Sequence, residues 1–359
     1  MKRISLVKLL DWAVGGLLVR LLGRMPIAQF RQPKNLLVIR PGGMGDAILL
    51  IPALRAFKHA FPDARITVLA EQRNASVFEL TDVVSEVLLY HKPGDLFAAL
   101  KVRYDAVVDT EQWHRLSAMV ARLVRAPMSI GFGTNERKKM FSHIVTYSHS
   151  DHETISFFKL FAPFFTARPQ QVKIPFLSVP EQAASRREEL LELLSVSPYV
   201  VLFPGATIAE KRWPVERFRE VAARLNSSGF PVVIIGGRGE VADAARIASD
   251  GKNLNLAGKT TLAETAAIIE HARVVITGDS GIMHLAYGLG TPSVSLFGPS
   301  NVQKWAPVGE NHHILIHHNL SCSPCSRFGY TPRCPSTVRC MAGITVDEVA
   351  EAVFRLLNS

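Results

Sequence analysis

The chain has 359 residues, of which 48% are hydrophobic and 20% are charged. Single hydrophobic cores stop growing at roughly 250–300 residues, so this length predicts two globular domains. The composition excludes a disordered, fibrous or fully membrane-embedded protein. The formal net charge is +10, and the first 40 residues carry +7 of it. The folded body is therefore nearly neutral, which excludes a uniformly basic nucleic-acid-binding protein.

Residues 1–33 form a leader whose Leu- and Val-rich part is interrupted by Lys8, Asp11 and Arg20. Each of these charges would cost roughly 2.5–3.5 kcal/mol at a bilayer centre, so a membrane-spanning helix is not expected. No cleavage site for a signal peptide follows the uncharged stretch. The pattern predicts a basic amphipathic helix lying on an anionic membrane surface. The alternative is an ordinary helix that packs on the first domain or between subunits.

From Asn35 onward, short β-branched runs alternate with amphipathic segments, which predicts doubly wound α/β domains with parallel sheets. In the first half, strands are expected at 35–40, 65–70, 86–90 and 105–109, with helices at 46–60, 113–125 and from about 153. The basic stretch at 131–150 is interpreted as irregular, and the Pro-rich stretch at 163–180 as a linker. In the second half, strands are expected at 199–203, 231–235, 273–277 and 292–297, with helices at 214–226, 240–249, 261–271 and 281–289.

These boundaries give a first Rossmann-like domain over 34–175 and a second over 176–359. Two such domains that face each other would place a ligand cleft at the carboxyl ends of their strands.

The first motif, Gly42-Gly43-Met44-Gly45-Asp46, stands between a predicted strand and a predicted helix. Its glycines permit a close backbone approach, and Asp46 is a candidate catalytic residue that would face the cleft. The alternative is an aspartate that caps the helix N-terminus. The spacing does not match the dinucleotide fingerprint G-x-G-x-x-G, which disfavours a nicotinamide oxidoreductase.

Two motifs in the second half predict a phosphate site. One is Pro204-Gly205-Ala206-Thr207 followed by Lys211-Arg212-Trp213-Pro214, in which a glycine turn and a lysine would suit a diphosphate. The other is Gly278-Asp279-Ser280-Gly281, which opens a helix whose N-terminus is an anion site and which carries His284 one turn later. A solvated turn and a structural histidine are the alternative interpretations.

All four cysteines lie within 19 residues, at Cys322, Cys325, Cys334 and Cys340, in a loop rich in proline. Four thiolates in a reducing compartment suit tetrahedral Zn²⁺ or a single iron, and such an ion would have a structural role because sulfur would close every coordination position. Free or paired thiols are the alternative.

Taken together and in this order, the motifs G-G-M-G-D, K-R-W-P, G-G-R-G-E, G-D-S-G-x-x-H and F-G-P resemble glycosyltransferase family 9, the ADP-heptose-dependent heptosyltransferases of lipopolysaccharide core assembly. The resemblance runs from about Asn35 to the C-terminus. It implies the GT-B fold, with two Rossmann-like domains that bind acceptor and nucleotide sugar respectively, and transfer with inversion at the anomeric carbon. Some members of the family hold an iron on a comparable set of cysteines.

The resemblance also implies roles for individual residues. Asp46 resembles the general base, and Lys211 resembles the lysine that neutralises the leaving diphosphate. The donor-binding residues are expected to be Thr207, Glu240, Gly258, Lys259, Thr260, Asp279, Ser280, Gly281 and His284. The acceptor-binding residues are expected to be Gly43, Met44, Gly45, Arg137, Lys138 and His152.

The sequence therefore predicts an inverting heptosyltransferase that needs no catalytic cofactor. Its partners would be ADP-heptose, a lipopolysaccharide core acceptor and the anionic surface of the inner membrane, on the cytoplasmic side. One alternative is a transferase that uses another nucleotide sugar, or a protein or another glycolipid as acceptor. The other is a non-catalytic nucleotide-sugar-binding or scaffold protein.

Overall fold

The computed structural model describes residue 11 and residues 24–27, 32–166, 172–192, 198–309, 312–316, 320–327 and 330–359. The chain divides into two compact units, Met1–Val172 and Lys173–Ser359. Each unit is an α/β domain built on a parallel sheet, which confirms the predicted fold class. Within the described residues, no helix is long and apolar enough to cross a membrane.

The first unit contains a sheet of six described strands in the order β3-β2-β1-β4-β5-β6. The strands are β1 (Asn35–Arg40), β2 (Arg65–Ala70), β3 (Glu86–Leu89), β4 (Ala106–Asp109), β5 (Met128–Phe132) and β6 (His143–Val145). The helices are α1 (Met44–Ala60), α2 (Pro93–Lys101), α3 (Arg115–Leu123) and α4 (Glu153–Phe161), and short 3₁₀ turns lie at Ala75–Leu80, Glu136–Met140 and Ala162–Phe164. Helices α1 and α4 pack together through Phe57 and Phe161, whose ring centroids are 5.9 Å apart.

The second unit contains six described strands in the order β12-β11-β10-β7-β8-β9. The strands are β7 (Val200–Phe203), β8 (Val232–Ile234), β9 (Leu254–Asn255), β10 (Val274–Gly278), β11 (Ser293–Phe297) and β12 (His312–Ile316). The helices are α5 (Glu181–Leu191), α6 (Val215–Ser227), α7 (Val241–Ile247), α8 (Leu262–Glu270), α9 (Gly281–Leu289), α10 (Val302–Trp305), α11 (Arg339–Ala342) and α12 (Val346–Leu357). A 3₁₀ turn at Ala209–Lys211 follows β7.

Both sheets have the strand order of the Rossmann fold when each is counted from its own first strand, because that strand lies between the second and the fourth. The order reverses between β1 and β4 in the first unit and between β7 and β10 in the second. Ligands bind open α/β sheets at such a reversal, outside the carboxyl ends of the strands. The turns after these four strands are therefore where each unit is built to bind a ligand.

The predicted strands and helices are present with small shifts at their ends. One interpretation was wrong, because the stretch at 131–150 is not irregular throughout: it contains the end of β5 and all of β6. The end of the predicted linker is hydrogen-bonded to the second unit. Backbone N–H groups of Phe176 and Leu177 both donate to the carbonyl of Gly288 at the end of α9, at 2.8 and 3.0 Å.

Candidate functional site

Asp46 lies in the first turn of α1, three residues after the N-cap residue Gly43. The alternative interpretation of Asp46 as the N-cap was therefore wrong. The side chain is partly buried, and its Oδ2 would lie 3.4 Å from a Cβ atom placed on Gly43. Within the described part of the chain, no side chain or backbone group hydrogen-bonds to this carboxylate. Its oxygens are therefore available to accept a proton.

Charges around Asp46 come from both sides of the strand-order reversal. Burial raises the pKa of Asp46, the positive charges of Arg40 and Arg73 lower it, and the carboxylates of Glu153 and Glu111 raise it further. The net pKa of Asp46 lies above that of an ordinary aspartate. A carboxylate with a raised pKa is a better proton acceptor near neutral pH, which suits a general base.

The glycine turn before α1 is held by Arg40 and Asn74, both of which are fully buried. The Asn74 side-chain amide donates to the carbonyls of Arg40 and Gly42 at 3.0 and 3.1 Å. Gly42 has φ +106°, and a Cβ there would lie 2.7 Å from the Arg40 guanidinium. Only glycine fits this position, so Gly42 is required by backbone conformation and by space.

The loop between β4 and α3 carries Glu111, which is 6% exposed. Its Oε1 accepts hydrogen bonds from the backbone N–H groups of Gln112, Trp113 and His114, at 3.0, 3.0 and 3.3 Å. Burial alone would raise the pKa of Glu111, but the charges of Arg40, His114 and Arg137 and the backbone donors hold it below the usual value. Glu111 therefore stays ionised within electrostatic range of Asp46.

Arg137 is not a surface residue, although it stands in the basic run Arg137-Lys138-Lys139. It is fully buried, donates to Oδ2 of Asp109 at 2.5 Å, and also donates to the carbonyl of Glu111. These bonds support the loop after β4. Because the side chain is fully buried, it is not exposed to an acceptor. Lys138 next to it is exposed.

His152 is the N-cap residue of α4, where its Nδ1 accepts a hydrogen bond from the N–H of Thr154 at 3.4 Å. The following residue, Glu153, is fully buried and binds the side chains of Gln112 and Tyr147 at 2.6 and 3.0 Å. The start of α4 thus carries a residue predicted to bind the acceptor, His152, next to a carboxylate that raises the pKa of Asp46, Glu153.

In the second unit, Lys211 and Asp279 form an ion pair with an Nζ–Oδ2 distance of 2.6 Å. Asp279 follows β10 and is 7% exposed, whereas Lys211 is 20% exposed at the end of the 3₁₀ turn after β7. Burial would raise the pKa of Asp279, but Lys211 lowers it, with help from Ser300 and His284, so that the net pKa is below the usual value. Two motifs that are 68 residues apart therefore meet at the strand-order reversal.

The approach of these two motifs depends on Gly278. A Cβ on this residue would lie 3.2 Å from the carbonyl oxygen of Lys211. Next to the ion pair, Ser280 is the N-cap residue of α9 and makes no side-chain capping bond to that helix. Ser280 and Gly281 are both partly exposed, so the helix N-terminus opens towards solvent.

The other predicted donor residues surround this centre. Thr207 is exposed in the turn after β7, and His284 is buried inside α9, with its ring 6.3 Å from that of Trp305. Glu240 comes before α7, and its carboxylate accepts a hydrogen bond from the N–H of Gly237 at 3.0 Å. A Cβ on Gly205 would lie 2.6–2.7 Å from the Glu240 side chain. The absence of a side chain at Gly205 therefore places Glu240 beside the turn after β7.

Residues 258–260 lie in the loop between β9 and α8. Gly258 has φ +75°, and its N–H donates to the carbonyl of Gly236 at 2.8 Å, so this loop contacts the one that leads to Glu240. Lys259 is exposed, and Thr260 shares a hydrogen bond with Thr265 at 2.9 Å. Glu240 and residues 258–260, all predicted to bind the donor, thus lie in adjoining loops.

All four cysteines line one small cavity of about 30 Å³, together with Glu210 from the turn that carries Lys211. They are free thiols. Burial raises the pKa of Cys325 and of Cys340, and the neighbouring cysteines raise both further, so the thiols are close enough to interact. The donor set fits a thiophilic metal. As the side chains are placed, however, no group of three or more His, Cys, Asp or Glu among the described residues is arranged to hold an ion.

Several residues that shape these sites were not identified from the sequence. Arg40, Asn74, Glu111 and Glu153 build the surroundings of Asp46 through contacts between positions 30 or more residues apart. Of these four, only Glu111 could have been found from the sequence. It is a polar residue that follows a predicted strand, and ligands bind parallel sheets at the carboxyl ends of their strands.

A protein-family model described as glycosyltransferase family 9 (heptosyltransferase) matches residues 94–331. Lipopolysaccharide heptosyltransferase 3 of Escherichia coli is 28% identical over 291 residues, which covers 74% of this chain and 84% of that protein. These matches extend over both units.

Two solved structures are similar in fold. The ADP-heptose lps heptosyltransferase II of E. coli matches with a TM-score of 0.75 and 23% identity, covering 90% of this chain and 98% of that one. The iron-containing dodecameric glycosyltransferase TibC of enterotoxigenic E. coli matches with a TM-score of 0.59 and 18% identity, covering 92% and 77%. The first confirms the GT-B fold that the motifs imply.

Proposed function

Because the chain belongs to glycosyltransferase family 9, a family of heptosyltransferases, we propose that this enzyme transfers a heptose from ADP-heptose to a hydroxyl group of a lipopolysaccharide core acceptor. The observation that carries the proposal is the Lys211–Asp279 ion pair beside the open N-terminus of α9, together with the free carboxylate of Asp46. The first is suited to a leaving diphosphate, and the second to an attacking hydroxyl.

In the proposed reaction, Asp46 accepts the proton of the acceptor hydroxyl while its oxygen attacks the anomeric carbon of the heptose. The new carbon–oxygen bond forms as the bond from that carbon to the ADP phosphate oxygen breaks, so the sugar is transferred with inversion. Burial and the two neighbouring glutamates raise the pKa of Asp46, which supports its role as the base. Gly43, Met44 and Gly45 would lie along the acceptor at the start of the same helix.

The departing ADP carries the electron pair of the broken bond as negative charge. Lys211 would supply a cation, and the N–H groups at Ser280 and Gly281 would supply hydrogen bonds and the positive end of the helix dipole. Such groups stabilise charge that develops in the transition state without a metal ion. Asp279 holds Lys211 in place, because its carboxylate is buried and paired with that side chain.

For nucleotide recognition, we propose that Glu240 accepts hydrogen bonds from the ribose hydroxyls. Gly258, Lys259 and Thr260 would contact the adenine, and Thr207 and His284 the diphosphate and sugar. The steric fit of Glu240 against Gly205 supports this assignment, because it fixes the carboxylate beside the turn that leads to Lys211.

On the acceptor side, Lys138 and His152 are proposed to bind a phosphorylated or Kdo-bearing core. Lys138 is exposed, and His152 stands at the start of α4 beside Glu153. We further propose that the enzyme works on the cytoplasmic face of the inner membrane, where the +7 charge of the first 40 residues would attract anionic lipids.

For the cysteine cavity, we propose a structural zinc or iron ion bound by Cys322, Cys325, Cys334 and Cys340 after small side-chain rotations. The four thiols around one cavity support this proposal, as does the iron in TibC. Protein purified without chelator should contain about one metal ion per chain by elemental analysis. The variant Cys325→Ser, Cys334→Ser should lose the metal and melt at a lower temperature. Metal-free wild type with four titratable thiols would contradict the proposal.

Isothermal titration calorimetry tests the donor class directly. We expect ADP and ADP-heptose to bind, and UDP and GDP to bind at least tenfold more weakly. Preference for UDP or GDP would mean another nucleotide sugar, and no binding of any nucleotide would contradict the proposed donor site. A panel of lipopolysaccharide core, other glycolipid and protein acceptors would then identify the acceptor.

A further inference from the structure

The loop after β4 has an unusual hydrogen-bonding pattern, because six consecutive backbone N–H groups donate to carboxylates. We call residues 111–116 the carboxylate-bound loop. The N–H of Glu111 donates to Asp109 at 3.0 Å, and the next three N–H groups donate to Glu111 itself. The N–H groups of Arg115 and Leu116 donate to Oδ1 of Asp11, at 2.6 and 2.8 Å.

Asp11 is the member of this set that comes from the leader, more than 100 positions earlier in the chain. It is 4% exposed. Helix α3 receives no capping bond from the side chain of its own N-cap residue, His114. The Asp11 carboxylate supplies that cap, and its negative charge is favourable at a helix N-terminus.

The surroundings of Asp11 favour its ionised form. Burial alone would raise its pKa, but His114 and the backbone N–H groups of Leu116 and Arg115 bring the net pKa of Asp11 below the usual value. The Nδ1 of His114 lies 3.6 Å from Oδ2 of Asp11. Asp11 is thus bound to the first unit, whereas most of the amphipathic helix predicted for residues 1–33 lies outside the described residues.

The carboxylate-bound loop also reaches the surroundings of Asp46. Glu111 raises the pKa of Asp46, and the side chain of Gln112 donates at 2.6 Å to Glu153, which acts on Asp46 in the same direction. Asp11 fixes the end of this loop, whereas Asp109 and Arg137 support its beginning. A change at Asp11 would therefore be transmitted to the base through the position of Glu111 and Gln112.

We propose that Asp11 is a positioning residue for transfer: by capping α3, it holds the carboxylate-bound loop in the conformation that places Glu111 and Gln112 near the acceptor side of the reaction. The inference rests on the proposed function of Asp46. It gives Asp11 a part in transfer besides its contribution to stability.

The test compares Asp11→Ala, which removes the cap, with Asp11→Asn, which keeps an oxygen that accepts N–H bonds. The matched control is Thr345→Ala, which removes the capping box of α12 in the other unit at a similar cost in stability. For each protein, hydrogen exchange of residues 111–123, calorimetric affinity for ADP and steady-state transfer from ADP-heptose to Kdo-bearing lipid A are measured.

We expect Asp11→Ala to increase exchange at 111–123 and to lower kcat/KM for the acceptor roughly tenfold, with ADP affinity unchanged. Asp11→Asn should recover most of both effects, and Thr345→Ala should show neither. Unchanged hydrogen exchange in Asp11→Ala would show that Asp11 does not hold the carboxylate-bound loop. Faster exchange with unchanged kcat/KM would overturn the positioning role. A wild type that does not transfer heptose would instead be a failure of the proposed function, since exchange is measured independently of activity.

Discussion

At the scale of single residues, each unit holds an aspartate, and the two aspartates lie in opposite electrostatic environments. Asp46 has no hydrogen-bonding partner among the described residues and its pKa is raised, whereas Asp279 is paired with Lys211 and its pKa is lowered. A carboxylate that must take up a proton needs the first environment, and one that must hold a cation needs the second.

The proposed role of Asp46 as the base predicts a large loss of activity when its carboxylate is removed. In Asp46→Asn, kcat should fall by about 10²–10⁴, because the amide cannot accept the proton. Calorimetric affinity for ADP should stay within about twofold, since the proposed donor residues lie in the other unit. Asp63→Asn, an exposed position of the same unit, is the control. If Asp46→Asn keeps more than a tenth of the wild-type kcat, another group is the base.

The charges around Asp46 predict the pH dependence of transfer. Glu153 raises the pKa of Asp46, so Glu153→Gln should lower that pKa and move the acidic limb of the kcat/KM profile to lower pH. Gln112 and Tyr147 donate to different oxygens of Glu153, so glutamine keeps the shape of the side chain and one of these two acceptor oxygens. Exposed Glu79→Gln should leave the limb in place. A limb that moves to higher pH in Glu153→Gln would contradict this electrostatic account.

The Lys211–Asp279 pair predicts a pH-dependent effect on stability. In Lys211→Met, the buried Asp279 charge loses its partner, which should cost about 3 kcal/mol at pH 7. The pair stabilises the fold above the ordinary Asp pKa of 3.8, and this contribution is lost as the pH falls through the lowered pKa of Asp279. Denaturant unfolding should therefore show a difference from wild type that shrinks towards low pH.

The double variant Lys211→Met, Asp279→Asn separates stability from binding. It should regain most of the lost stability because no buried charge remains unpaired, but it should still bind ADP more weakly than wild type. A single variant Lys211→Met with unchanged ADP affinity would place the diphosphate site elsewhere.

At the scale of elements, the residues of the candidate site lie mainly in the turns after β1, β4, β7 and β10, and the strand order explains this position. These strands border the two reversals of strand order, where helices leave on opposite sides and the carboxyl ends are open. Gly42 and Gly278 illustrate the local requirement, because side chains there would meet Arg40 and the backbone of Lys211.

Features of the fold and the site could be predicted from the sequence where neighbouring residues determine them. Strands such as β1 and β10 are continuous apolar runs, and the glycine turns after them are short patterns, so both could be read directly. Strand β6 has three residues and follows a basic 3₁₀ turn, so it carries no periodic signal. Asp11, Asn74 and Arg137 act through contacts between distant positions, which no local pattern encodes.

The fit of the turn after β7 against α7 predicts the effect of a single methyl group. In Gly205→Ala, the new Cβ would lie within 2.7 Å of the Glu240 carboxylate, so Glu240 must move. We expect ADP affinity to fall about tenfold, because a displaced carboxylate loses its hydrogen bonds to the ribose. Gly239→Ala, in the same loop as Glu240 but with open space around it, should bind ADP like wild type. Equal affinities for the two variants would remove Glu240 from the nucleotide site.

At the scale of the whole molecule, each unit repeats the Rossmann strand order, and each would supply one half of the chemistry of the proposed glycosyl transfer. The first contains a carboxylate with a raised pKa, and the second an ion-paired lysine and a helix N-terminus. Membership of glycosyltransferase family 9 explains why the two halves occur in one chain.

The proposed function is the transfer of a heptose from ADP-heptose to a lipopolysaccharide core acceptor. Mass spectrometry of Kdo-bearing lipid A, incubated with the enzyme and ADP-heptose, measures this directly. We predict a product heavier by one heptose residue with wild type, none with Asp46→Asn, and none when UDP-glucose replaces ADP-heptose. An unmodified acceptor with wild type, under conditions where the protein is folded and binds ADP, would contradict the claim.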